Sequence, residues 1–205
     1  MESLVIAITG ASGSIYGIRL VEELLKSGNS VHLILSKQAV SIIRTETGIN
    51  WSGKTEAETG KKIQKYFSSG NINYYREDNL SSPISSGSSI TDGMFVVPCS
   101  MKTLSGIANG YASNLVERAA DVILKENRKL ILSPREMPFN AVHLENMLKL
   151  ARLGVTIAPP VPAFYHKPKK INDIIDFVVG KILDCSGVDN RLFQKMEIAL
   201  NDSNG

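Results

Sequence analysis

Arg135 and Glu136 stand side by side in residues 134–138, a segment with a proline at each end. Proline fixes its own φ angle and restricts the residue before it, so we expect a stiff loop. The apolar residues 130–132 predict a strand before this loop, and ligands of α/β sheets bind beyond the carboxyl ends of strands. The pair therefore predicts a basic and an acidic group held at a ligand-binding edge. The alternative is an exposed turn with an ordinary ion pair, which contributes little.

A second candidate site is the segment Gly-Ala-Ser-Gly-Ser at residues 10–14, between an apolar run at residues 4–9 and a helix predicted over residues 15–26. Backbone amides of such a turn and the helix N-terminus can hold a phosphate, and the hydroxyls of Ser12 and Ser14 could add donors. The spacing is neither GxGxxG nor a Walker A loop. It therefore favours FMN or another monophosphate over a dinucleotide or ATP. A tight turn without a ligand is the alternative.

Polar residues also follow two other predicted strands. Ser36 comes directly after the strand at residues 30–35. The strand at residues 93–98 is followed by a segment that opens with a helix N-cap: Ser100, Met101, Lys102 and Thr103. Because these strand ends should meet at one edge of a parallel sheet, together they predict a ligand-binding enzyme.

Strands and helices alternate along the chain. Strands are predicted at residues 4–9, 30–35, 72–75, 93–98, 130–132 and 155–158, and helices at residues 15–26, 37–45, 114–125 and 171–185. This alternation predicts the α/β class, with a single-domain, doubly wound, Rossmann-like or flavodoxin-like, mostly parallel sheet and helices on both faces. We expect the domain over residues 1–187 and a partly helical tail over residues 188–205.

Two other regions carry weaker signals. Asn140 predicts the N-cap of a helix that Gly154 ends, and its apolar face is expected from the helical spacing of Leu144, Met147, Leu148 and Ala151. Residues 46–70 are polar and poorly periodic, and Trp51 and Tyr66 are their expected anchors. The serine-rich residues 81–89 predict a loop within the domain that could wrap an anionic ligand.

Composition excludes several functional classes. The net charge of +3 and the absence of a Lys/Arg run argue against nucleic-acid binding, and no run approaches the ~18 apolar residues of a membrane span. His32, His143 and His166 lack metal-ligand spacing, so no metal is expected. Cys99 and Cys185 fit a reduced, cytoplasmic protein, and residues 1–3 do not resemble a signal peptide.

Several motifs together resemble the UbiX-type flavin prenyltransferases. They are TGASGSIYGIRL, SGSS before a strand ending in PCS, NLVERAADVILKE, PREMPF, HLENMLKL and PAFYHKP, in that order over residues 4–183. The resemblance implies metal-independent transfer of a dimethylallyl group from dimethylallyl phosphate or diphosphate to N5 and C6 of reduced FMN. It also implies a UbiD-type decarboxylase as the recipient of the prenylated FMN, and a homo-oligomer built of trimers, a dodecamer, with sites between subunits.

Roles follow from the resemblance where the motifs match. It implies an FMN site formed by Gly10, Ala11, Ser12, Ser36, Ser100, Met101, Lys102, Thr103 and Arg135. It implies that the prenyl phosphate binds Tyr165 and Lys181 of a neighbouring subunit and Ser86, Arg118 and Lys125. The catalytic residues that it implies are Glu136, Ser12, Lys125 and Glu46. Positive side chains would then stabilise the leaving phosphate in place of a metal.

Three positions depart from the family pattern. Lys181 stands where several members have arginine, Met196 where many have tryptophan, and Leu80 near a position that can be aromatic. These departures affect rate and donor preference more than the reaction class. The alternatives are an FMN-dependent cysteine decarboxylase-like flavoprotein, whose motifs are not seen, and a non-catalytic FMN carrier, which would need no second phosphate pocket. An NAD-binding protein is disfavoured because GxGxxG is missing.

Overall fold

A six-stranded, fully parallel sheet forms the centre of the computed structural model, which describes residues 1–193. The strands are β1 Ser3–Ile8, β2 Ser30–Leu35, β3 Ile72–Arg76, β4 Gly93–Cys99, β5 Lys129–Pro134 and β6 Thr156–Ile157. Their order in the sheet is β3-β2-β1-β4-β5-β6. The predicted doubly wound α/β fold is confirmed. The order reverses between β1 and β4, and such a reversal opens a crevice at the carboxyl ends of the strands.

Within residues 1–193, seven α-helices cover the two faces of the sheet. They are α1 Ser14–Lys26, α2 Lys37–Thr47, α3 Glu56–Phe67, α4 Met101–Ala108, α5 Leu115–Lys125, α6 Ala141–Arg152 and α7 Ile171–Ser186. Side chains of α1, α2, α3 and α7 pack in one hydrophobic cluster, and side chains of α4, α5 and α6 pack in the other. Strand residues alternate between the two clusters, so the strands are apolar on both sides.

One helix was missed in the sequence. Residues 46–70 contain α3, which Thr55 caps by accepting a hydrogen bond from the Glu58 amide at 3.1 Å. Only two α3 residues, Thr59 and Ile63, are buried. The segment therefore has too few apolar residues to show the spacing typical of a helix. The predicted anchor Trp51 is buried, and its ring lies 5.3 Å from that of Tyr66.

Only part of the apolar face predicted for the helix after Asn140 faces the core, because Met147 packs against the cluster whereas Leu144, Leu148 and Ala151 are exposed. The helix itself is confirmed, with Asn140 accepting a hydrogen bond from the His143 amide at 2.9 Å. Its buried residue is Leu150, whereas Leu144 and Leu148 are 54% and 52% exposed. The rest of the predicted apolar stripe is therefore a surface of the single chain.

The first residues of the predicted tail lie against the domain. Residues 188–193 contain no helix or strand and pack on α7, where the side-chain amide of Asn190 donates to the Gly180 carbonyl at 3.2 Å. Residues 194–205, including Met196, lie outside the described residues. Within residues 1–193, the helices are too short or too polar to cross a membrane.

Gly17 allows α1 to approach the sheet closely. A Cβ at Gly17 would lie against the Val97 carbonyl oxygen and within 2.9 Å of two side-chain carbons of Ile8. Both neighbours belong to central strands and cannot move away. We predict that Gly17→Ala lowers the free energy of unfolding by about 2 to 3 kcal/mol in denaturant titrations.

The matched control is Gly60→Ala in α3, where the new Cβ would meet only Tyr74 at 3.8 Å. This variant should be neutral or stabilising by up to about 1 kcal/mol, because alanine is the better helix former. Equal effects of the two substitutions would contradict the close approach at Gly17.

Candidate functional site

Two clefts open at the carboxyl edge of the sheet, beside the reversal between β1 and β4. The α1 cleft, about 890 Å³, is lined by several apolar side chains and by Ser12, Gly13, Tyr16, Glu46, Tyr66 and Arg135. The α4 cleft, about 300 Å³, is lined by residues that include Gly10, Ser36, Glu77, Ser100, Met101, Lys102, Thr103 and Glu136. The turn after β1 and the loop after β5 contribute to both clefts, so the clefts are neighbours.

The α4 cleft is fixed by a hydroxyl that joins β1 and β4. Thr9 donates its hydroxyl to the Pro98 carbonyl at 2.8 Å and accepts a hydrogen bond from the Ser100 amide at 2.8 Å. Ser100 then caps α4 by accepting from the Thr103 amide at 3.3 Å. The predicted N-cap is confirmed, and the first turn of α4 faces the cleft.

Two of the helix N-termini at this edge already hold carboxylates. The Glu46 carboxylate accepts from the Gly13 and Ser14 amides at 3.1 and 2.9 Å, at the start of α1. The Glu77 carboxylate accepts from the Lys37 amide at 2.8 Å, at the start of α2. The turn at residues 10–14, predicted to hold a phosphate through its amides, therefore gives two of those amides to an internal carboxylate.

The N-terminus of α4 is different. No side chain among residues 1–193 accepts from the amides of Met101 or Lys102, which cannot have partners within their own helix. Lys102 adds a positive charge in the same turn. Because a helix N-terminus with free amides attracts anions, the α4 cleft has the donors for a phosphate.

Glu46 is held by several donors at once. The Ser14 hydroxyl donates to its carboxylate at 2.7 Å, and the Ser12 hydroxyl also donates to it. Partial burial raises the pKa of Glu46, but the hydrogen bonds from Ser12, Ser14 and Gly13 outweigh burial, so the pKa lies below its ordinary value. Glu46 is therefore an ionised group in the wall of the α1 cleft at neutral pH.

The loop after β5 presents both of its charges without pairing them. The Arg135 amide donates to the Cys99 carbonyl at 3.1 Å, and the Glu136 carboxylate accepts from the Met137 amide at 3.0 Å. Within the described part of the chain, neither side chain is in an ion pair. Arg135 lines the α1 cleft and Glu136 lines the α4 cleft. The ordinary ion pair considered from the sequence is thus absent from residues 1–193.

Three residues implied for the prenyl phosphate lie on the face covered by α5. Arg118 donates from Nε to the Ser85 carbonyl at 3.2 Å, next to Ser86 in the serine-rich loop. Lys125 is in the last turn of α5, beside the same loop. The Arg128 guanidinium stabilises this loop by donating hydrogen bonds to the Ser89 and Gly87 carbonyls at 2.9 and 3.2 Å.

The other two residues lie on the opposite face. Tyr165 packs edge-on against Phe177 of α7, with ring centroids 5.6 Å apart. Lys181 follows one turn later on α7, and its side chain is 56% exposed. Since α5 and α7 cover different faces of the sheet, one chain does not bring Lys125 and Lys181 together.

Two site residues were not found from the sequence. Ser14 was considered only as a phosphate donor, although its partner is Glu46. Glu77 was missed, although it follows β3 and the strand-end argument applies to it. No group of three or more His, Cys, Asp or Glu side chains in residues 1–193 could hold a metal ion.

Comparisons with known proteins agree on one family. The Flavoprotein family profile matches residues 1–183. A flavin prenyltransferase UbiX from Methanocaldococcus jannaschii is 53% identical over 192 residues, covering 94% of this chain and 97% of that protein.

Two solved structures share the fold. AnUbiX (PadA1), in complex with FMN and dimethylallyl pyrophosphate, is 38% identical with a TM-score of 0.86, covering 96% of this chain and 97% of its own. A dodecameric FMN-dependent UbiX-like decarboxylase from Escherichia coli O157:H7 is 41% identical with a TM-score of 0.85, covering 95% and 99%.

We predict that Glu46→Gln destabilises the fold by about 0.5 to 1 kcal/mol at neutral pH, because the start of α1 loses a negative partner. The pKa of Glu46 is lowered in the folded state, so this stabilisation is complete above the ordinary value of 4.5. It is lost as the pH falls through the lowered folded pKa.

Thermal unfolding of both proteins as a function of pH measures the effect. The difference between wild type and variant should shrink in acid. Glu2→Gln is the matched control, since the Glu2 side chain has no hydrogen bond or ion pair among residues 1–193. A difference that stayed constant down to pH 3 would contradict the role of the Glu46 charge.

Proposed function

The chain belongs to the Flavoprotein family and, within it, to the UbiX flavin prenyltransferases, and from this membership we propose that it transfers a dimethylallyl group to reduced FMN. The donor is dimethylallyl phosphate or diphosphate, and the new bonds form at N5 and C6 of the flavin. The product serves a UbiD-type decarboxylase in the cytoplasm. No metal takes part.

The free N-terminus of α4 is the observation that carries the proposal. With α1 and α2 closed by Glu46 and Glu77, the amides of Met101 and Lys102 are the open donors for the FMN phosphate. Ser36, Ser100 and Thr103 surround them. Gly10 lines the same cleft, and Ser12 and Arg135 line the α1 cleft, where the rest of the flavin would bind. Ala11 is buried between Gly10 and Ser12 in the same turn.

The donor phosphate needs positive charge that one chain does not assemble. Arg118, Lys125 and Ser86 lie on one face of the sheet, and Tyr165 and Lys181 lie on the other. We therefore assign the two groups at each site to different subunits. The exposed apolar stripe of α6, which contains Leu144 and Leu148, supports association of copies of this chain. Trimers that assemble into a dodecamer would complete every site.

The side chains have distinct tasks in the reaction. Lys125, Lys181 and Arg118 stabilise the negative charge of the departing phosphate, which is the task of a metal ion in other enzymes. Reduced FMN supplies the nucleophilic atoms. Closing a new ring on the flavin releases a proton, and Glu136, which lines the α4 cleft, accepts it. Glu46 and Ser12 hold a fixed negative charge and a hydroxyl in the neighbouring cleft.

Decarboxylation is the rival activity, because the neighbour from Escherichia coli O157:H7 is described as an FMN-dependent decarboxylase. A decarboxylase would not need the two groups of phosphate-binding residues. A non-catalytic FMN carrier would not need these residues either.

One assay separates these functions. We predict that the purified protein, incubated anaerobically with reduced FMN, dimethylallyl phosphate and a chelator, yields flavin heavier by one five-carbon prenyl unit in mass spectrometry. Unmodified FMN with both the monophosphate and the diphosphate would overturn the proposal. Carbon dioxide release from a C-terminal cysteine peptide would then favour the decarboxylase.

A further inference from the structure

Ser14 is the first residue of α1 and is completely buried. Both of its donors point to one atom. Its amide and its hydroxyl lie 2.9 and 2.7 Å from Oε2 of Glu46. Glu46 stands on α2, so these bonds join two helices that follow different strands. Ser14 does not line the α1 cleft, whereas Glu46 does.

We propose that Ser14 is a positioning residue of the transferase, whose hydroxyl fixes the Glu46 carboxylate in one orientation at the cleft and keeps it ionised during turnover. The proposal rests on the proposed function, in which Glu46 acts at the flavin-binding edge. Ser14 touches neither substrate, so it acts through Glu46 alone.

Ser12 cannot perform this task in the same way. Ser12 is exposed and lines the α1 cleft, so a bound ligand can compete with Glu46 for its hydroxyl. The Ser14 hydroxyl is shielded from the cleft. It therefore remains a donor to Glu46 when the cleft is filled, and its hydrogen bond to a charged acceptor is of the stronger kind.

Few other charges face Glu46. Tyr16 comes from α1, Tyr66 from α3 and Arg135 from the loop after β5, while α7 contributes only Ile171 and Ile175 to this cleft. Burial raises the pKa of both Tyr16 and Tyr66, so they stay neutral in the relevant range. Partial burial of Glu46 is the opposing influence, and the hydrogen bonds from the Ser12 and Ser14 hydroxyls and from the Ser14 and Gly13 amides together outweigh it.

The test is the pH profile of kcat/KM for Ser14→Ala, measured from phosphate release and prenylated flavin between pH 3.5 and pH 8, a range that includes the lowered pKa of Glu46. Alanine cannot donate to the carboxylate, so Glu46 should protonate at higher pH. We expect the acidic limb to move up by about one pH unit, with a loss of about tenfold below the midpoint and little loss at high pH.

Ser41→Ala is the matched control, because Ser41 is an exposed serine of α2 whose hydroxyl donates to the Gln38 carbonyl, away from Glu46. Its profile should match that of wild type. An unchanged profile for Ser14→Ala, or an equal loss at every pH, would overturn the proposal, since a merely structural role would not move the acidic limb.

A second measurement does not require activity. Thermal unfolding at pH 7 should show that Ser14→Ala lowers Tm by about 2 to 4 °C in the wild-type background. The same substitution should have no effect in a Glu46→Ala background, where the acceptor is gone. Additive effects would overturn the positioning role. If the wild type forms no prenylated flavin but the coupling is present, the proposed function fails while the Ser14–Glu46 interaction stands.

Discussion

The arrangement of the site depends on which helix N-termini at the strand edge are already neutralised. Glu46 and Glu77 supply negative charge at α1 and α2 and leave α4 open. Thr9 holds that open end in place by joining β1 to β4. An incoming phosphate near the reversal between β1 and β4 therefore meets carboxylates at α1 and α2 and free amides at α4. In the proposed function, this asymmetry places the flavin phosphate at the start of α4.

Much of the fold could be predicted from the sequence, because local signals agree with it. Buried parallel strands gave continuous apolar runs, and Ser100 and Asn140 gave N-caps that the structure confirms. The features that the sequence did not reveal depend on tertiary contacts. Helix α3 shows few buried positions and looked like a polar loop. The partner of Ser14 lies 32 residues away on another helix, so no local spacing could reveal that Glu46 occupies the start of α1.

In the proposed function, a single chain presents an incomplete site. The residues expected to bind a donor phosphate are divided between the two faces of the sheet, with Lys125 on α5 and Lys181 on α7. The sequence resemblance named both residues but could not show that the sheet lies between them. Leu144 and Leu148 of α6 add an exposed apolar stripe that a soluble monomer would not need. Both features are explained if neighbouring copies complete the site and cover the stripe.

Subunit complementation tests this division most directly. Lys125→Ala and Lys181→Ala proteins would be assayed separately and after co-expression, with mixed oligomers verified by native mass spectrometry. The account predicts two nearly inactive variants whose mixture recovers about one quarter of wild-type activity, because about one site in four would then draw both lysines from intact surfaces. A mixture as inactive as its parents would show that both lysines of a site belong to one chain, which would contradict the account.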